Sequence, residues 1–95
     1  MLAIAPLVRA DEKEAASFVT ARVVKVSNDE SGNELNSIVV SNSHESRTIR
    51  ATIRWITIAR ERENDITLKP GQEKILAHDQ INARDVRVVA ARFRD

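Results

Sequence analysis

The chain has no cysteine and no tyrosine, only two glycines and two prolines, and one tryptophan and two phenylalanines as its whole aromatic content. Without cysteine there are no disulfides, thiolate metal sites or thiol nucleophiles, and no attachment point for a bacterial lipid anchor. An aromatic fraction of 3% supplies no row of exposed rings on which bases or sugars would stack. No stretch approaches the roughly 18 apolar residues of a membrane-spanning helix. Charge of one sign is missing as well, since 15 basic residues face 14 acidic ones and leave a formal net charge of +1. No global field therefore draws the chain to a polyanion. What is present is 42% hydrophobic and 31% charged residues in 95 positions, the composition of one small globular domain with no room for a separate cofactor domain.

The N-terminus differs from the rest. Met1 to Val8 is wholly apolar, and Val8-Arg9-Ala10 precedes the polar run Asp11-Glu12-Lys13-Glu14. A small or β-branched residue at −3 and Ala at −1 suit signal peptidase. Residues 1–10 thus read as the tail of an export signal cut after Ala10, with an edge strand or N-terminal arm as the alternative. Residues 11–95 read as a single domain, and the expected location is periplasmic or secreted.

From Phe18 onward the chain is rich in Val, Ile and Thr in short apolar runs bounded by polar loops. Phe18–Val26 reads as a strand, Asn28–Glu34 as a loop, Ile38–Val40 as a second, short strand, and Arg47–Arg60 as the longest extended segment. In that segment Ile49, Ala51, Ile53 and Trp55 alternate with Arg50, Thr52 and Arg54, giving a core face and a wet face. The alternation breaks where Ile56 and Ile58 take the parity of the arginines. A bulge near Trp55, or cover on both faces, is expected there. A second parity switch falls at Val88 and Val89. Pro70-Gly71 fits the centre of a type II turn, because Pro presets φ and Gly tolerates positive φ. Residues 78–92 could be written as a helix, but Val86, Val88 and Val89 favour strand. Six or seven antiparallel strands in this length predict an all-β, immunoglobulin-like two-sheet β-sandwich with Trp55 at its centre.

The order Val40-Ser-Asn42-Ser, a short turn, a strand ending Ile53-Arg54-Trp55, then Leu68-Lys-Pro-Gly71 and a last Val/Phe strand, resembles the YcfL-type family of small bacterial envelope proteins over about residues 36–93. The resemblance implies an exported sandwich and supplies no catalytic residue. The chain departs from the family in lacking the lipobox cysteine and in having Ile53 where an aromatic residue is expected.

Candidate chemistry is sparse. His44 and His78 are too few for a metal site and read as solvent-facing loop residues; no metal or other cofactor is expected. Ser41, Ser43 or Ser46 with His44 and Asp79 spell a triad by type only, with no nucleophile elbow, so no catalytic residue is assigned and no enzyme is expected. Asn28–Glu34 carries oxygen ligands without the spacing of a calcium loop and reads as a solvated turn. The arginines are more informative, being 11 of the 15 basic residues. On a sheet face they either pair with carboxylates across strands or bind anions bidentately. The expected function is a non-catalytic exported interaction module. It would bind a protein partner or a second copy through a sheet edge or the apolar strand patch, with Arg50, Arg54, Ile56, Ile58 and Arg60 as partner-binding residues. The alternative is an anion-recognising module using the arginine face, with nucleic acid disfavoured.

Overall fold

The computed structural model describes residues 10–58 and 60–94. One helix, α1 (Ala10–Ser17), is followed by six strands: β1 (Val19–Asn28), β2 (Glu34–Asn42), β3 (Ile49–Ile56), β4 (Glu61–Leu68), β5 (Glu73–Ile81) and β6 (Arg84–Phe93). They form two antiparallel three-stranded sheets, ordered β1-β2-β5 and β4-β3-β6. The sheets pack against each other as an all-β sandwich. The chain changes sheet after β2, β4 and β5. This is the immunoglobulin-like order, with a strand added beside β3 and, among the described residues, none outside β6. The apolar segment Met1–Val8, read above as export signal or arm, lies outside the described residues.

β3 is the axis of its sheet. Ile49, Ala51, Ile53 and Trp55 are buried and Arg50, Thr52, Arg54 and Ile56 half-buried, so the strict alternation of the sequence is the alternation of the fold. Its pairing with β4 runs unbroken from Ile49 opposite Leu68 to Ile56 opposite Glu61. The irregularities lie on β6 instead, where Val89 is an extra residue and both Asp85 and Val86 face Trp55. The parity switch expected at Val88 and Val89 is therefore a bulge. Near Trp55 β3 has neither the expected bulge nor cover on both faces: its inner parity runs on to buried Thr57 and its outer parity to exposed Ile58, and the irregularity opposite Trp55 lies in β6. Asp85 takes a positive φ of 54°, a conformation that Asp tolerates better than most residues.

β2 holds the centre of the other sheet, with Asn36 to Val40 all buried. Ile38 and Val40 face the core. Val39, on the outer parity, lies between Arg22 of β1 and Ile75 of β5, and an Arg22–Glu73 ion pair of 2.9 Å closes over that face.

Two buried asparagines tie the sheets together. The Asn42 side-chain amide donates to the carbonyls of Arg47, Leu68 and Lys69 at 2.9, 3.1 and 3.2 Å, and its oxygen accepts the His44 N–H at 2.9 Å. Asn36 accepts the Ala83 N–H at 2.9 Å. Every hydrogen-bonding atom of these side chains would be costly to bury without partners. His44, expected from its place in a turn to face solvent, does not. It is half-buried, its ring edge-on to Phe18 and Phe93 at 4.5 and 5.5 Å, and its Nδ1 accepts the N–H groups of Ser46 and Arg47. Pro70-Gly71 makes the expected turn, with Gly71 at φ 71° and the Gln72 N–H on the Lys69 carbonyl at 3.0 Å. It links β4 to β5 and so is a corner between sheets, not a hairpin.

α1 precedes the stretch read as strands from Phe18, in residues to which the sequence pattern assigns no element. Its sequence Ala-Asp-Glu-Lys-Glu-Ala-Ala-Ser is composed largely of strong helix formers, with Asp11 and Glu12 at the positive end of the helix dipole. Eight residues do not hold a helix alone; fully buried Ala15 joins the core, and the helix packs along β6.

Trp55 is buried at 2% exposure but sits near one end of the sandwich, where its indole N–H donates to Gln80 at 3.0 Å. The middle is filled by Ile38, Val40, Ile49, Ile53 and Leu68. Trp55→Ala is expected to lower stability by about 3–5 kcal/mol in denaturant unfolding. A loss below 1 kcal/mol, or native fluorescence that quenches freely, would contradict the packing.

The arginine face and the mouth of the sandwich

The outer face of the β4-β3-β6 sheet is written in stripes. Pairing places Arg50, Thr52 and Arg54 of β3 beside Thr67, Asp65 and Glu63 of β4. β6 brings Arg84, Arg87 and Arg92 to the other side of β3. The carboxylates of β4 therefore reach across to guanidinium groups. Arg50 Nη2 lies 3.2 Å from Asp65 and Nη1 donates to Thr67 at 3.3 Å. Arg54 donates through Nε and Nη2 to one Glu63 oxygen at 3.0 and 2.6 Å, and Glu61 bridges Arg54 at 3.7 Å and Arg87 at 2.9 Å. The hydrogen bond to Glu63, helped by the charges of Glu63 and Glu61 and opposed by desolvation, holds the Arg54 pKa above its ordinary value. Cross-strand pairing thus engages Arg50, Arg54 and Arg87 on this face, while Arg92 forms no ion pair among the described residues. A cleft of about 310 Å³ remains between Glu12 of α1 and Arg50, Asp65 and Arg92, with acidic and basic groups both present.

Asp65 is held below the usual carboxylate range, first by the Thr52 hydroxyl at 2.7 Å and then by Arg50 and the charge of Arg92. Glu73 is lowered by the hydrogen bond from Arg22. Asp29 is lowered chiefly by the Asn33 N–H, and its carboxylate also accepts the Ser31 N–H. This loop, Asp29 to Asn33, spends its best ligand oxygens on its own backbone. Among the described residues no cluster of three or more His, Asp or Glu could hold a metal ion. No described helix is long and apolar enough to cross a membrane.

The five residues expected to form one partner-binding set fall into two places. Arg50 and Arg54 belong to the paired face just described. Ile56 lies at the end of the same face, half-buried between Glu61 and Arg84. Ile58 and Arg60 lie in the turn between β3 and β4. The turn is drawn in by Thr57, whose N–H donates to the Arg60 carbonyl at 2.9 Å, while the Ile58 N–H reaches the Ile81 carbonyl at 3.2 Å in the opposite sheet. This leaves the Ile58 side chain 60% exposed. The strand therefore stops at Ile56, short of the expected Arg60.

Around that turn the sheets part to form a mouth of about 350 Å³, lined by Ile58, Arg60 and Arg62 on one side and Gln80 and Ile81 on the other. The sequence shows Arg62 among the arginines strung along and just beyond β3, but does not place it in the partner-binding set. Counting by twos from Leu68 and Ile66 places it on the inner parity of β4 opposite Trp55, a signal that needed the start of β4 to be known. Gln80 and Ile81 arrive from the other sheet and carry no local signal. No protein-family profile, curated protein or solved structure matches the chain.

A carboxyl whose folded pKa lies below its unfolded value contributes stability that is complete above the unfolded value and is lost as pH falls through the folded one. Asp65, Glu73 and Asp29 all have this sign, so stability is expected to fall on acidification below about pH 4. Thr52→Val should raise the Asp65 midpoint in an NMR titration and shift acid unfolding to higher pH. An unchanged Asp65 midpoint would remove the hydroxyl as the leading cause.

Proposed function

We propose that the domain is a non-catalytic protein-interaction module, exported to the periplasm or beyond, that associates with a protein partner or a second copy through the end of β3 and the adjoining strand edge. The observation that carries the reading is Ile58, a large apolar side chain 60% exposed beside half-buried Ile56 and next to arginines. β3 is paired on both sides, so the free edges of this sheet belong to β4 and β6; Ile58 lies in the turn that leads into edge strand β4, and an exposed apolar group next to a free edge favours association. The resemblance to small envelope sandwich proteins and the apolar start of the chain support the address. His44 supports the non-catalytic part, because its Nδ1 is committed to two backbone N–H groups and its ring to Phe18 and Phe93.

The wild type is expected to self-associate in light scattering at high concentration, or to co-purify with a partner. Ile58→Lys is expected to abolish that association without moving the unfolding midpoint, because the side chain is solvent-facing. A monomer at all concentrations with no partner, or a variant that associates as before, would overturn the reading. A binding constant falling steeply with log salt concentration would favour the anion-recognising alternative instead. Intact mass after expression in a bacterial host tests the address: a chain beginning at Asp11 supports export, and one beginning at Met1 contradicts it.

A further inference from the structure

Arg60 and Arg62 differ from most arginines of the fold in charge pairing and from all of them in position. Arg22, Arg50, Arg54, Arg84 and Arg87 each have a carboxylate within 4 Å, whereas Arg60 and Arg62, like Arg92 and Arg94, form no ion pair among the described residues. Both are exposed, and both line the mouth between the sheets with Ile58 and Ile81. The single acidic residue lining it, Asp79, stands on the β5 side at a positive φ of 54° and lies beyond ion-pair distance of either arginine. The mouth thus presents the apolar side chains of Ile58 and Ile81, two uncompensated guanidinium groups on the β4 side and one carboxylate opposite.

We propose that this mouth binds an acidic segment of a partner protein, which rests on the interaction-module reading above. An apolar side chain of the segment lies against Ile58 and Ile81, and flanking carboxylates pair with Arg60 and Arg62, where guanidinium forks match carboxylates in charge and geometry. Asp79 repels a carboxylate from the β5 side and so fixes which way round the segment enters. A nucleic-acid strand fits less well. Binding of single strands draws on exposed rings, and the one ring nearby, Trp55, is buried behind Gln80.

Trp55 serves as the reporter, since its indole N–H bonds to Gln80 at the mouth. The test titrates the full chain with an acetylated, amidated hexapeptide of alternating Leu and Glu, with its Leu-Lys counterpart and with a single-stranded hexanucleotide, following Trp55 emission and heat. The Leu-Glu peptide is expected to bind saturably and the Leu-Lys peptide not at all. The double variant Arg60→Glu, Arg62→Glu is expected to weaken the Leu-Glu peptide at least tenfold, while Arg94→Glu, remote and exposed, leaves it unchanged. Three results would overturn the proposal: no saturable binding of the Leu-Glu peptide at millimolar concentration, equal affinity in the double variant, or tighter binding of the Leu-Lys peptide or the oligonucleotide. Light scattering on the same samples separates the two readings. Any of those results in a protein whose association is still abolished by Ile58→Lys overturns only the acidic-segment proposal.

Discussion

The structure depends on the two-residue alternation of β3. Ile49, Ala51, Ile53 and Trp55 on one side of this strand contribute a third of the buried apolar core and receive Leu68 and Ile66 from β4 and Ala91 from β6. The same backbone, read one residue out of phase, sets Arg50 and Arg54 against the carboxylates of β4. A slip of one residue would send both sets to the wrong face at once, so the register is fixed by hydrophobic burial and charge pairing together. That double specification matters in a chain of 95 residues, which has little core to spare.

The two neighbours of β3 divide its outer face by sign. β4 brings Glu61, Glu63 and Asp65, and β6 brings Arg84, Arg87 and Arg92. The arginine-rich strand is thereby neutralised by a strand in the same sheet, which is why a face that looks basic in the linear sequence is largely occupied in the fold. Beyond Trp55 the pattern ends. The turn after β3 is anchored through backbone groups of Thr57 and Ile58, and this frees the Ile58, Arg60 and Arg62 side chains from internal duties. Structure and proposed recognition are thus separated along one hairpin, paired at Arg50 and Arg54 and open at Arg60 and Arg62.

How much of this the sequence discloses varies with the range of the interaction. The alternation from Ile49 to Trp55, the Pro70-Gly71 turn and the parity switch at Val88 and Val89 are local patterns, and each has its counterpart in the fold. The extent of β3 and the start of β4 were not legible, because Glu61 to Asp65 is polar on both parities at an uncovered end of an edge strand. Helix α1 was legible in propensity alone, since Ala, Glu and Lys dominate it, but its stability comes from the burial of Ala15 beside β6. Asn36 and Asn42 read as loop-flanking polar residues. Their burial follows from backbone groups brought from Ala83, Arg47, Leu68 and Lys69, which no local pattern announces. The mouth required both sheets to be in place, so only its β3–β4 side was visible beforehand, as Ile58 and Arg60.

The central claim is that the arginines of the β3–β4 hairpin fall into two populations, Arg50 and Arg54 held by β4 carboxylates and Arg60 and Arg62 left open at the mouth. Nitrogen-15 NMR of the guanidinium groups measures this directly through solvent exchange of each Nε–H and rotation about each Nε–Cζ bond. Arg54, whose Nε–H donates to Glu63 at 3.0 Å, is predicted to exchange slowly and rotate slowly. Arg60 and Arg62 are predicted to exchange and rotate as fast as a free arginine side chain. Exchange and rotation at Arg60 and Arg62 as slow as at Arg54 would contradict the account.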